Sequence, residues 1–168
     1  RNRYAFYDIG GDRVFDARQT AADSIRAGLA ENQFVLHYQP KVNMRSGEVV
    51  GAEALLRWQH PERGLLHPAE FLPVIEFVGM QADVGEWVLR GALRQLAAWA
   101  DIGHRFTISV NIAAEQLRNP RFVDDLRALF LDFPDVQPHQ IELELLETAA
   151  LHDLREVAPT MYLAAPRA

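Results

Sequence analysis

From residue 34 onward, segments with the alternating pattern of β-strands are interleaved with segments that have the periodicity of helices. Strand-like runs occupy residues 34–40, 49–58, 105–113 and 141–147, and helical patterns occupy 18–31, 83–102, 120–133 and 148–158. This alternation predicts an α/β fold with βα units around a parallel sheet, and a TIM-like (β/α) barrel is the leading architecture. A complete barrel has eight strands in roughly 250 residues, so we expect about the first half of one.

Turn and capping residues mark several boundaries. Ser46 and Gly47 predict a hairpin-like turn between the first two strands. Residues 60–71, punctuated by proline and glycine, are expected to be a loop. Asp83 with Glu86 three residues later has the pattern of a capping box and predicts a helix start. The pair at 119–120, Asn-Pro, predicts the start of another.

Composition excludes several classes of function. The 168 residues contain no cysteine, which excludes disulfides, thiolate zinc sites and a cysteine nucleophile. A net charge of -6 argues against a nucleic-acid polymer as partner. No apolar run is long enough to span a membrane, so we expect no membrane contact by this segment and a cytoplasmic location. The six histidines lack metal-binding spacing.

Strand parity brings polar residues to one side of the predicted sheet. Side chains alternate across a strand, and each of three strands has one polar and one apolar face. Ser109 and Glu142 lie on these polar faces. If the apolar faces pack on outer helices, the candidate site residues that point into the barrel interior are Gln39, Glu53, Arg57, Asn111 and Glu144. All of these except Glu53 and Arg57 lie late in their strands, towards the carboxyl-terminal rim where barrel enzymes have their active sites.

These residue types suit metal-assisted phosphate chemistry. Glu53, Asn111 and Glu144 offer only oxygen ligands, which predicts Mg²⁺ or Mn²⁺ rather than zinc. Such an ion can polarise a phosphoryl oxygen and activate water for phosphodiester hydrolysis. Arg57 could hold a phosphate with two hydrogen bonds. Periodicity alone leaves an alternative open, in which these are solvated faces of half-exposed antiparallel strands.

Four strings carry a resemblance to a known family: YQPKV, GAEALLRWQHPERGLL, SVNIA and IELELLET. In this order and spacing, from about Ser24 to Val157, the chain resembles the EAL-domain family of cyclic di-GMP phosphodiesterases. The resemblance implies that Glu53, Asn111 and Glu144 bind the metal and that Gln39 and Arg57 contact the dinucleotide. It also implies a catalytic role for Glu53 and for Glu147, the latter supporting a loop near the metal, although Leu146 stands where threonine is common.

The chain also departs from the family pattern. The family continues to a DDFGTG-like string with metal-binding aspartates and a catalytic lysine, whereas here no Asp-Asp pair follows Glu144 and Lys41 is the only lysine. The first residues, RNRYAFYD, resemble the end of a GGDEF domain. We therefore expect a linker remnant at 1–17, the amino-terminal part of an EAL domain at 18–158 and an atypical tail at 159–168.

Three functional readings follow. The first is a truncated phosphodiesterase domain, impaired in hydrolysing cyclic di-GMP to linear pGpG. The second is a catalytically inactive module for cyclic di-GMP binding or protein interaction in bacterial second-messenger signalling. The third is a fragment that folds only by self-association. Two open sheet edges and an expected apolar interior face predict a homodimer or larger assembly through the strand at 34–40 or at 141–147.

Overall fold

The computed structural model describes the backbone of residues 9–145, with side chains described from residue 16 onward. The elements in chain order are α1 (Ile9–Ala30), β1 (Phe34–Val42), β2 (Val49–His60), β3 (Gly64–Leu66), α2 (Pro68–Val78), α3 (Gln81–Asp101), β4 (Thr107–Ile112), α4 (Ala114–Arg118), α5 (Phe122–Leu131), a 3-10 turn (Pro138–Gln140) and β5 (Ile141–Leu145). The predicted helix at 148–158 lies outside the described residues.

The strands form one mixed sheet in the order β1-β2-β4-β5, with the short β3 paired to β2. Strands β2, β4 and β5 are parallel, and helices connect them. This confirms the α/β class and the partial barrel. The sequence predicts four strands; β3 is a fifth, whose three residues are too few to show a period.

The first pair of strands is an antiparallel hairpin. Asn43 donates its backbone N–H to the carbonyl of Glu48, and Gly47 donates to the carbonyl of Asn43. Gly47 has a φ of 74°, a conformation that favours glycine. The hairpin predicted at Ser46-Gly47 is confirmed. Because β1 runs opposite to β2, its carboxyl end lies beside the amino ends of the parallel strands. A fold of βα units alone would not predict this direction of β1.

Two helices occupy segments in which the sequence pattern predicts no helix. Helix α2 begins at Pro68, inside the predicted loop, because proline is well accepted in a first helical turn. The Glu70 carboxylate accepts the backbone N–H of His67 at 2.9 Å and closes that turn. The loop prediction was therefore wrong. The five-residue helix α4 is too short to show periodicity.

Helix boundaries also differ from those predicted. Helix α3 begins at Gln81, so Asp83 lies in its first turn and is not the N-cap. Helix α5 begins at Phe122 with Arg121 as its N-cap. Asn119 nevertheless stabilises this junction, since its side-chain Oδ1 accepts the backbone N–H of Arg121 at 3.0 Å. Helix α1 begins at Ile9, earlier than the predicted residue 18.

Within residues 9–145, the apolar face of the sheet is covered by helices and the opposite face is not. Ile108, Val110 and Ile112 of β4 are 0, 1 and 2% exposed. They belong to one core cluster with Leu93 and Leu96 of α3. We call the opposite, mostly polar side of the sheet the inner face. Its polar residues include Gln39, Lys41, Glu53, Arg57, Ser109, Asn111, Glu142 and Glu144.

A polar inner face corrects one sequence-based expectation. An uncovered apolar interior was expected to require a second copy of the chain. The uncovered face instead carries polar side chains in contact with one another, Lys41 with Glu142 and Glu144, and Glu53 with Asn111. Burial of an apolar interior is therefore no reason for dimerisation. Separately, none of the helices within the described residues is long and apolar enough to cross a membrane.

Strands β2 and β4 approach closely at Gly51, which lies opposite Thr107. A Cβ added at Gly51 would lie 2.5 Å from the backbone oxygen of Thr107, and that oxygen cannot move without opening the sheet. We predict that Gly51→Ala lowers the free energy of unfolding by about 1–3 kcal/mol, the usual cost of overpacking. Chemical denaturation of the variant and its parent measures this.

Gly91→Ala is the matched control. A Cβ at Gly91 in α3 meets only the side chain of Leu36, whose terminal Cδ1 is 2.8 Å away. That methyl can turn aside, and alanine gains about 1 kcal/mol of helix propensity over glycine. Equal destabilisation by the two substitutions would contradict the proposed close approach.

Candidate functional site

Strand register brings the polar residues of the inner face into two neighbouring rows. In the first row, Glu53 of β2 lies opposite Gln39 of β1 and opposite Ser109 of β4. Ser109 in turn lies opposite Glu142 of β5. In the second row, one step towards the carboxyl ends of the parallel strands, Asn111 lies opposite Glu144. The three candidate metal ligands are thus on adjacent parallel strands.

The closest pair among these ligands is Glu53 and Asn111. The amide Nδ2 of Asn111 donates to Oε1 of Glu53 at 2.8 Å, and both residues are half-buried. Their strand neighbours on the other face, Ala54 and Val110, are buried in the core. Core packing therefore fixes the backbone from which both polar side chains project.

Lys41 forms the second cluster on the inner face. Its Nζ donates to the hydroxyl of Ser109, to Oε2 of Glu142 at 2.8 Å and to Oε1 of Glu144 at 3.1 Å. The Ser109 hydroxyl donates to Oε2 of Glu142 at 2.7 Å. Ser109 is fully buried, whereas the Lys41, Glu142 and Glu144 side chains keep between about a third and a half of their surface exposed.

These contacts stabilise the charged forms of all three ionisable groups. The hydrogen bond to Glu142 raises the pKa of the Lys41 ammonium. The Lys41 and Ser109 hydrogen bonds hold the pKa of the Glu142 carboxyl below its usual value. Ser109 and then Lys41 lower the pKa of the Glu144 carboxyl. At neutral pH the cluster is therefore one ammonium with two carboxylates.

The sequence alone indicates no role for Lys41, Ser109 or Glu142. Parity placed Ser109 and Glu142 on the polar faces, and Lys41 shares its parity with Gln39. What the sequence could not provide is the contact itself, because Lys41 and Glu144 are separated by 103 positions and by two intervening strands.

The remaining candidates lie farther from the two clusters. Gln39 is exposed and lies opposite Glu53. Gln39 was expected at the carboxyl-terminal rim, and this was wrong because β1 is antiparallel to β2. The hairpin register nevertheless places Gln39 directly opposite Glu53. Arg57 lies further towards the rim, where its Nη1 donates to the carbonyl of Leu56 at 2.8 Å. Glu147 lies outside the described residues.

A cavity of about 230 Å³ lies beside the amide of Asn111. Its walls are mostly apolar and come from β2, α2 and α3, including Leu55, Leu72 and Val88. Gln116 lines it from α4, and its Oε1 accepts the backbone N–H of Ala113 at 3.3 Å. This cavity gives the rim an apolar pocket next to the polar pair.

The donors at this site are carboxylate and amide groups. Within the described part of the chain, no three histidine, aspartate or glutamate side chains are grouped so that they could hold one. The candidate set instead includes an amide, with Glu53 and Asn111 in contact and Glu144 opposite Asn111 in register. Such oxygen donors fit a hard divalent cation. Glu144 is held by Lys41 on one oxygen.

Comparisons with known proteins agree with this architecture. The family model described as EAL domain matches residues 22–165. The bifunctional diguanylate cyclase/cyclic di-GMP phosphodiesterase MucR of Pseudomonas aeruginosa is 39% identical over 154 residues, covering 91% of this chain and 22% of MucR. The cyclic di-GMP phosphodiesterase PdeR of Escherichia coli is 37% identical over 130 residues, covering 77% of this chain and 19% of PdeR. The chain thus spans about a fifth of these relatives.

Two solved structures share the fold. The PaMucR phosphodiesterase in complex with c-di-GMP superposes with a TM-score of 0.75 at 38% identity, covering 86% of this chain and 60% of that one. The FimX EAL domain of Xanthomonas citri, in complex with c-diGMP, gives a TM-score of 0.76 at 22% identity, covering 89% of this chain and 57% of that one, a likeness of fold alone. The motif resemblance is therefore confirmed, and the chain belongs to the EAL-domain family.

Proposed function

We propose that this chain is part of a cyclic di-GMP phosphodiesterase domain, and that these 168 residues by themselves bind cyclic di-GMP but hydrolyse it slowly to linear pGpG. The observation that carries the proposal is the Glu53–Asn111 contact, with Glu144 opposite Asn111 in register. The names of MucR and PdeR and the ligand of the PaMucR complex support the substrate class.

A divalent metal is part of this proposal, as is general for EAL domains. Glu53, Asn111 and Glu144 would hold Mg²⁺ or Mn²⁺, which when bound supplies a Lewis acid for a phosphoryl oxygen and a water of lowered pKa. The chain's own part is orientation. Its strands hold the donors in register, and the buried apolar face prevents the strands from turning.

Substrate contacts are proposed for Gln39 and Arg57. Both lie on the inner face: Gln39 is in the row that contains Glu53, and Arg57 lies further along β2. A guanidinium can bind a phosphate with two parallel hydrogen bonds, and Arg57 lies on the rim side of Glu53. Glu147 is proposed to support a loop near the metal, by family resemblance alone.

Slow hydrolysis is proposed because the sequence has few candidates for the second half of the reaction. Displacement at phosphorus gains most when cations act on both the attacking and the leaving oxygen. No Asp-Asp pair follows Glu144, and the single lysine is Lys41, which is already bound to two carboxylates. The same observations favour a second candidate function, a cyclic di-GMP receptor or interaction module without turnover.

Self-association is also proposed. Of the two reasons that the sequence suggested, only the open sheet edges remain, since the inner face is polar. Within residues 9–145 the strands β1 and β5 each have one neighbour, so each presents an edge with unpaired backbone groups. Val42 at the end of β1 is 47% exposed. A homodimer or larger assembly through either edge would satisfy these groups. The cytoplasmic location stays a prediction from sequence.

We predict that the 168-residue chain converts cyclic di-GMP to pGpG at least about 100-fold more slowly than an intact EAL domain, the order lost with one preorganised charge-stabilising group. Chromatography of the reaction with Mg²⁺ or Mn²⁺ measures this rate. The remaining turnover is expected to disappear in Glu53→Ala. Turnover equal to that of an intact domain would refute the proposal, whereas binding with no turnover would favour the receptor function.

Binding of the dinucleotide is predicted to depend on Arg57. Arg57→Ala removes a charge-assisted contact of about 1.5–3 kcal/mol and should weaken binding at least about 10-fold. Calorimetric titration with cyclic di-GMP gives the dissociation constant. Arg63→Ala is the control, since Arg63 is exposed in the turn before β3 and pairs with Glu70. An equal loss in both variants would mean that Arg57 has no specific role.

Metal binding is predicted to need all three oxygen donors. Glu53→Gln, Asn111→Ala and Glu144→Gln should each weaken Mn²⁺ binding by about 10-fold or more, as measured by calorimetric titration with MnCl₂. Asp124→Asn on α5 removes an exposed carboxylate that pairs with Arg127 and should have no effect. If none of the three substitutions lowers the Mn²⁺ affinity, the proposed metal site is refuted.

Sedimentation velocity across a range of concentrations tests self-association. We expect a dimer or larger species that dissociates on dilution. If β1 forms the contact, Val42→Lys should weaken it because charge on an edge strand opposes pairing. Ile102→Lys, at an exposed position after α3, is the matched control. A monomer at every concentration would exclude this proposal.

A further inference from the structure

One cation of the inner face, Lys41, has an acceptor for each of its N–H donors. An ammonium group has three N–H donors, and Lys41 has three acceptors: the Ser109 hydroxyl, Glu142 Oε2 and Glu144 Oε1. A further anionic group could bind to this ammonium only by displacing one of them. The arrangement therefore argues against Lys41 as a contact to substrate phosphate, although it is the sole lysine of the sequence.

The position of this cluster depends on curvature and on one glycine. Lys41 is on β1 and its carboxylate partners are on β5, at the other edge of the described sheet. Strands are about 4.8 Å apart, so three steps across a flat sheet would be about 14 Å. A lysine side chain cannot bridge that distance unless the inner face is concave. Gly51, opposite Lys41 on β2, has no side chain to obstruct the crossing.

The contacts also give Glu144 a defined orientation. Lys41 Nζ binds Oε1, which leaves Oε2 clear of the ammonium. The ammonium is itself fixed, because the buried Ser109 hydroxyl accepts from Lys41 and donates to Glu142. Glu142 thus neutralises the lysine charge, while Glu144 takes its orientation from it. Hydrogen bonds that orient a ligating carboxylate commonly change metal affinity by about 10–100-fold.

We propose that Lys41 is a positioning residue for the metal site: anchored by Ser109 and Glu142, it holds Glu144 with one carboxylate oxygen presented to the cation. The proposal rests on the proposed function, in which Glu144 is a metal ligand. The direction of the change in metal affinity on replacing Lys41 distinguishes this role from a purely electrostatic one. Removing a positive charge near a cation site should tighten cation binding by Coulomb's law, whereas removing a positioning group should weaken it.

The test is the affinity of the chain for Mn²⁺, measured by calorimetric titration with MnCl₂ and without substrate. Lys41→Met is expected to weaken Mn²⁺ binding about 10-fold. Lys41→Arg retains charge and donors, so its affinity should lie closer to the parent's than to that of Lys41→Met. The double variant Lys41→Met with Glu142→Gln removes one charge of each sign, and it too should bind Mn²⁺ more weakly.

Arg63→Met is the matched control, because it removes a positive charge in the turn before β3 and should leave Mn²⁺ affinity unchanged. Thermal unfolding must show that the variants remain folded. If Lys41→Met does not fold, the Mn²⁺ affinity of the charge-balanced double variant tests the proposal instead. Unchanged or tighter Mn²⁺ binding in the variants overturns the proposal.

Glu144→Gln separates this result from a failure of the proposed function. If Glu144→Gln weakens Mn²⁺ binding and Lys41→Met does not, the positioning role alone is wrong. If Glu144→Gln leaves Mn²⁺ affinity unchanged, Glu144 is not a metal ligand. The proposed metal site and the proposed role of Lys41 are then both refuted.

Discussion

The register of the parallel strands β2, β4 and β5 is the constraint on which the rest of this structure depends. Side chains alternate with a period of two, so a slip of one residue would exchange the two faces of a strand. In β4 that exchange would expose Ile108 and Val110, which are 0 and 1% exposed, and bury Asn111 among apolar side chains. Burial of the apolar face therefore fixes the register. That register places Glu53 and Asn111 side by side, so their own hydrogen bond is not needed to align the strands.

The sequence predicts those features that depend on local pattern. Alternation in β2, β4 and β5 was enough to assign Glu53, Asn111 and Glu144 to one face, because parity requires no knowledge of which strands are neighbours. Turn chemistry at Gly47 likewise identified the hairpin. Helix α2 was missed because its proline residues, Pro68 within the first turn and Pro73 in the interior, resemble the punctuation of a loop.

Features that depend on curvature could not be predicted in this way. The contact between Lys41 and Glu144 requires the strand order, the antiparallel direction of β1 and the concavity of the inner face at the same time. The hairpin turn at Gly47 indicates the antiparallel direction of β1, but the strand order and the concavity are not encoded in a window of a few residues. For the same reason, parity assigned Ser109 and Glu142 to the correct face but did not indicate that they surround a lysine.

The hairpin of β1 and β2 has a consequence for how the domain assembles. Its strands are joined by the six residues 43–48, and hairpins of this kind close in about 1–10 μs. Pairing of β2 with β4 must close a segment that contains β3, α2 and α3, and long-range parallel pairing is slow. We therefore expect Gln39 and Glu53 to become neighbours early on the folding pathway, while Asn111 and Glu144 join them only after the crossover helices have docked.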